Sequence, residues 1–181
     1  VATFKTSYDG TVANDARTPL GKLELELTGL DSDWAKAGTL KVDALSTVRP
    51  NARFPQVVTN VTGTQLKVQE VAVATLKTSY VGSVADDERT PLGTVKLDVT
   101  DFVSEWVTAA TLKVDATSTA RSNATTPSIS ALLTGTEISG QGSRIATFRT
   151  AFTGAPTANW RSAEGDLSVD GTGISSPWAG A

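Results

Sequence analysis

The chain has 181 residues, a net charge of −3, a hydrophobic fraction of 39% and an aromatic fraction of 6%. Lys and Arg are scattered singly, whereas a phosphate-binding surface gathers them on one face, so no nucleic-acid partner is expected. Cys and His are absent, which removes disulfides, thiolate metal sites and the commonest general base. No stretch approaches the roughly 18 apolar residues that a spanning helix needs, so no membrane insertion is expected, and no basic-then-apolar leader is read at Val1.

In chain order, Val1–Tyr8 and Lys22–Thr28 alternate apolar and polar residues as half-buried strands do, with Leu23, Leu25 and Leu27 facing away from Lys22, Glu24 and Glu26. Asp9–Gly21 between them carries Gly10, Asn14, Asp15 and Pro19 and reads as a long loop. Leu30–Gly38 combines an acidic start, an apolar spacing and a closing Gly, predicting a helix of about two turns. Its counterpart Asp101–Val107 would place Phe102 and Trp106 one turn apart. Thr39–Val48 alternates again, Arg49–Pro55 is loop, and Gln56–Val61 and Gln65–Val73 are strand candidates separated by a turn at Thr62-Gly63-Thr64. The last strand is expected to run unbroken into Ala74–Tyr80.

An internal repeat is the strongest signal. Ala2-Thr3-Phe4-Lys5-Thr6-Ser7-Tyr8 returns as Ala74-Thr75-Leu76-Lys77-Thr78-Ser79-Tyr80, and Arg17-Thr18-Pro19-Leu20-Gly21 as Arg89-Thr90-Pro91-Leu92-Gly93. The offset is 72 residues without a gap, and 32 of the 54 positions from Ala2 to Pro55 are identical. A divergent third copy begins at Ala146-Thr147-Phe148. The expected domains are a first unit at 1–72, a second at 73–144 and a half unit at 145–181. The alternative phase is a half unit at 1–37 with units at 38–109 and 110–181. The expected fold is mainly β: tandem small antiparallel sandwiches or barrels of 72 residues, each with one short helix. The spare half unit is expected to drive oligomerisation by exposing strand edges.

Candidate sites follow from the repeat. Trp34, Trp106 and Trp178 are equivalent, read as core anchors that hold each helix on its sheet, with repeated sugar platforms as the alternative. Trp160 has no counterpart and is a candidate partner contact. Arg17, Arg89 and Arg161 each follow an Asp or Asn by two residues, suiting a repeated interface or a pinned loop. Asp31-Ser32-Asp33 and Asp86-Asp87-Glu88 offer oxygen ligands for calcium but differ between copies, so turns explain them better. No nucleophile motif, phosphate loop or dinucleotide fingerprint is present, so neither enzyme chemistry nor a cofactor is expected.

This small, β-rich, Thr/Ala/Ser/Gly-rich chain of duplicated modules resembles the accessory virion proteins of tailed phages, such as capsid decoration proteins and fibres. That resemblance implies a non-catalytic protein of a virion that forms a homo-oligomer or clamps a protein lattice such as a capsid shell. The competing expectation is a secreted or cell-surface adhesive module that binds glycans and keeps an aromatic exposed in each unit.

Overall fold

The computed structural model describes residues 2–12, 19–50, 52–85, 90–122, 126–158 and 161–177. Five strands, β1 (Thr3–Val12), β2 (Pro19–Asp31), β3 (Ala35–Thr47), β4 (Gln56–Val68) and β5 (Val71–Val84), are followed by five more. These are β6 (Pro91–Val103), β7 (Thr108–Thr119), β8 (Ser128–Gly140), β9 (Ser143–Pro156) and β10 (Ala163–Thr172). All ten pair antiparallel in chain order within one sheet. Only neighbouring strands touch, so among the described residues nothing is stacked on either face and the sheet does not close on itself.

The expected all-β class holds, but no separate sandwich or barrel of 72 residues forms and the described residues contain no helix. The segment read as a first helix is the end of β2, a tight turn at Ser32–Trp34, and the start of β3. Ser32 makes that turn: its Oγ donates to the Ala35 carbonyl (2.8 Å) and accepts from the Ala35 N–H (3.1 Å). Ser104 and Val107 repeat the arrangement at 2.9 and 3.1 Å. An acidic residue followed by Ser suits a helix start and a hairpin turn equally, and across the hairpin Leu30 pairs with Ala37 and Asp31 with Lys36. Further boundaries move: residues 9–12 and 19–21, read as parts of a long loop, belong to β1 and β2 and pair with each other. Gly63 and Gly135, read as turns, lie inside β4 and β8. The expected continuous strand after Gln65 is instead broken by a two-residue turn at Gln69-Glu70, where Gln69 has φ 52°.

Register exposes a shorter period than the one visible in the sequence. Thr3, Thr39, Thr75, Thr111 and Thr147 stand 36 residues apart, and so do Thr28, Thr64, Thr100, Thr136 and Thr172. All ten fall in one row, one threonine per strand, on the face that carries the charges. Hydroxyls pair across the row at 2.8 Å in Thr39–Thr64, Thr75–Thr100 and Thr111–Thr136. The structural unit is thus a hairpin of 36 residues, and the segment read as a spare half unit is a fifth hairpin paired to β8 like any other. Alternation between two hairpin variants produces the 72-residue identity. One variant carries Tyr8, Tyr80 or Phe152 where the other carries Ala44 or Ala116.

Four even strands also contain a left-handed residue, Gly29 (φ 65°), Gln65 (51°), Asp101 (50°) and Glu137 (49°), and Gly173 (60°) just beyond β10 continues the series, again 36 apart. Side chains of a regular strand alternate faces, and this one residue resets the alternation. The following apolar side chain comes down on the apolar face: Leu66 lies over Gly63 and Ile138 over Gly135, so that a Cβ on either glycine would have to push that side chain aside. For the three non-glycine residues the left-handed conformation costs about 1 kcal/mol each.

In the aromatic variant, Tyr8 folds down over Gly10 and donates to the carbonyls of Thr11 (3.0 Å) and Leu20 (2.9 Å). Tyr80 does the same over Gly82, with Ser83 and Leu92 accepting at 3.1 and 3.0 Å. A Cβ at Gly82 would overlap the Leu92 carbonyl oxygen, a backbone atom that cannot step aside. The next hairpin holds Ser118 in the same row, with its hydroxyl buried and lacking a hydrogen-bond partner. We predict that Gly82→Ala lowers stability by about 3 kcal/mol through overpacking. Ser118→Ala should be neutral or stabilising by up to about 1 kcal/mol, because it removes an unsatisfied hydroxyl. Denaturant unfolding of both variants checks the pair, and an equal loss in both would refute this account of the row.

Candidate functional site

A single layer offers two faces and two ends, and the sequence assigns each a different chemistry. The polar face carries a cross-strand ladder, Lys5-Glu26-Lys41-Thr62-Lys77-Asp98-Lys113-Thr134-Arg149-Asp170, in which charges largely alternate in sign. Glu26 pairs with Lys41 at 3.2 Å and Asp98 with Lys113 at 3.1 Å. Lys22 with Glu24, and Arg144 with Glu137, add further ion pairs. These groups are well exposed, so each pair contributes little singly; alternation cancels the field that would attract a polyanion.

The opposite face is apolar. Phe4, Leu27, Leu40, Leu76, Val99 and Leu112 share one row, and Leu25, Val42, Val61, Leu97, Val114 and Leu133 share the next. Few of these side chains are buried: among the described residues the buried hydrophobics are Ala35, Ala37, Val99 and Ala109. An open hollow of about 430 Å³ lies on this face between Tyr8, Leu23, Ala44 and Val57. A compact monomer of 18.8 kDa exposes about 8,300 Å², whereas this chain exposes 12064 Å².

The two ends separate the residues singled out in the sequence. The short turns carry the repeated tryptophans. Trp34 is 70% exposed and Trp106 is 62% exposed, so neither is a core anchor. The reason is that the helix they were expected to pin does not form; each sits at the tip of a hairpin, where the sheet has no second layer to receive it. The Trp34 carbonyl still accepts from the Gln69 N–H of the next turn (3.0 Å). Trp106 and Val107 form one wall of an open trough completed by Ile138, Gln141 and Ile145. Two hairpins separate the tryptophans, about 19 Å at about 4.8 Å per strand.

At the other end, the long connections include Arg161, which is exposed. Arg17, Arg89, Trp160 and Trp178 lie outside the described residues, as do Asp86, Asp87 and Glu88. Two further arginines that sequence reasoning passed over pin loops. Arg49 donates to the Phe54 carbonyl (Nε, 3.4 Å), and Arg121 donates to the Thr126 carbonyl (Nε, 3.0 Å) and hydroxyl (Nη2, 3.0 Å). Their 72-residue spacing was the available signal. Arg53 stacks over the Phe54 ring at 5.1 Å within the same loop. As for calcium, no group of three or more acidic side chains comes together among the described residues, and Asp31 is engaged by Lys36 at 2.7 Å.

That pairing perturbs the titrations. Hydrogen bonds from Lys36 and Lys22 hold the Asp31 and Glu24 carboxyls below their usual range and raise both lysines. A lowered carboxylate contributes stability that is present above its unfolded pKa and lost as pH falls through the folded one. A raised lysine contributes below its unfolded pKa and loses that as pH rises through the folded one. The two ion pairs therefore act on a plateau between the carboxylate and lysine ranges. Asp31→Asn should flatten the acid limb of the stability profile, and the difference should shrink in high salt.

If Trp34 and Trp106 stand in solvent, Trp34→Ala and Trp106→Ala change unfolding stability by no more than about 0.5 kcal/mol, against about 3–5 kcal/mol for a core tryptophan. Acrylamide should also quench both efficiently in the folded chain. A core-sized loss would restore the anchor reading. No family model, curated protein or solved structure matches the chain.

Proposed function

We propose that this chain is a non-catalytic structural protein of a larger assembly, acting through broad surface contacts with other protein subunits. The observation that supports this reading is the uncovered apolar face: the chain exposes 12064 Å², about 3,800 Å² above a compact monomer of its mass. Patches of that kind mark interaction surfaces. The face is built for packing, since the charges are confined by register to the opposite side. In its narrower form the proposal is an accessory protein of a virion, a capsid decoration or fibre subunit, to which the composition and the repeated build are similar.

One specific observation favours a second reading, an adhesive module that binds glycans. Trp34 and Trp106 present exposed indole rings on equivalent turns, and aromatic faces of this kind stack against apolar patches on other molecules.

Two measurements separate the readings. Light scattering over a concentration series gives the absolute mass of the purified chain. The assembly reading expects a mass above 18.8 kDa; a monomer at every concentration counts against it. Titration with oligosaccharides, followed by tryptophan fluorescence, tests the second reading. A saturable change lost in Trp34→Ala and Trp106→Ala would support glycan binding, and a flat response would remove it.

A further inference from the structure

The apolar face calls for an occupant, and three features describe it. First, the four central rows of the face span forty positions without a charged side chain. Ten strands about 4.8 Å apart and about ten residues of about 3.3 Å give a footprint of about 1,400 Å², well above the roughly 800 Å² per partner of a stable complex.

Second, the face is uneven. Tyr8, Tyr80 and Phe152, their rings laid across Gly10, Gly82 and Gly154, alternate with Ala44 and Ala116 in one row, so ring-thick ridges stand beside bare stretches of backbone. A hollow of about 430 Å³ sits against Ala44. Knobs beside hollows suit an interdigitating sheet packed about 10 Å away. Lipid chains have no side chains to seat in such hollows.

Third, the aromatic-to-alanine alternation has a period of two hairpins. A second copy facing the first, related by a two-fold and displaced by one strand or by three from full overlap, sets every overlapping aromatic of this row over an alanine. This arrangement is self-complementary about a two-fold axis parallel to the strands, as a homodimer interface must be. The axis then runs along β4 or along β6.

We propose that the apolar face is the interface between two copies of this chain, packed sheet on sheet with their aromatic and alanine hairpins interleaved. The inference rests on the reading of the chain as an assembly protein and names its first partner. Each outer face of the resulting sandwich would be a charged ladder.

The absence of cysteine makes single-cysteine reporters unambiguous in the full chain. Thr78 in β5 and Val114 in β7 lie on the apolar face; their neighbours Ser79 and Asp115 lie on the polar one. Thr78→Cys, Val114→Cys, Ser79→Cys and Asp115→Cys would each be treated with a short bismaleimide at low micromolar concentration. The expected result is a native mass of twice 18.8 kDa, with covalent dimer from Thr78→Cys or Val114→Cys and little from the polar-face pair. Equal yields on both faces, a monomeric mass, or recovery of the chain with phosphatidylcholine vesicles in place of a dimer would each overturn the proposal. An oligomer that crosslinks through neither apolar-face cysteine would overturn the sandwich while leaving the assembly reading in place. A monomer under all conditions would remove both.

Discussion

A sheet one layer thick has no inside, and every other property of this chain follows from that constraint. In a sandwich or an α/β fold a strand is held twice, by its ladder and by the layer stacked on it. Here, among the described residues, a strand is held by its ladder alone, because strand contacts run only between neighbours. Stability then behaves as a sum of hairpins and the joints between them, as in repeat proteins generally. The pairings are also close in sequence, which shortens the loops that folding must close. The cost is the face: apolar side chains that a second layer would cover stand in contact with solvent.

Without a core to fix register, the sheet carries its own register devices, and each is a side chain acting on backbone a few residues away. A slip by one residue would turn every apolar side chain to the charged side. The threonine row resists a slip through hydroxyl pairs that exist only when the rows align. The tyrosines resist it through carbonyl contacts on their own strand and its partner, laid across glycines that admit no Cβ. The left-handed residue in β2, β4, β6 and β8, and just past β10, adds a third check, since an apolar side chain reaches the correct face only after that reversal. Aromatic cover of glycine and pinned irregularities of this kind are the means by which open sheets hold shape and register.

The sequence disclosed the strands with clean alternation, Lys22–Thr28 and Thr39–Val48 among them, because period-two patterning is a property of the strand itself. The turn ends were misread for a physical reason. Leu30 and Trp34 stand four apart, the spacing of a helix face, but the left-handed Gly29 and the Ser32 turn produce that spacing by reversing the chain. Trp34 and Trp106 were assigned to a core on the strength of that helix and moved with it into solvent. The 36-residue period escaped notice because the two hairpin variants differ at the side chains that dominate identity, Tyr80 against Ala44 and Gly82 against Ser46. They agree at Thr-x-Lys positions, whose meaning is a row in a sheet and becomes visible only with the register. The apolar face could be read strand by strand, but not its extent, since that depends on every strand lying in one layer.

The separation of chemistries onto faces and ends also decides how the two functional readings relate. Packing the apolar face against a partner consumes neither the charged face nor the turn ends, so Trp34 and Trp106 remain presented in an assembled protein. The reverse does not hold. A chain whose tryptophans met a glycan would still leave its largest apolar surface in water, and the free energy of that exposure, at roughly 25 cal/mol per Å², far exceeds what two stacked rings return. Burial of the face is therefore the prior requirement, and any recognition by the turns operates on top of it. An assembly that repeats the exposed tips of Trp34 and Trp106 is the arrangement in which weak single contacts gain strength by multiplicity, and their spacing of two hairpins follows from the 72-residue alternation of the hairpin variants.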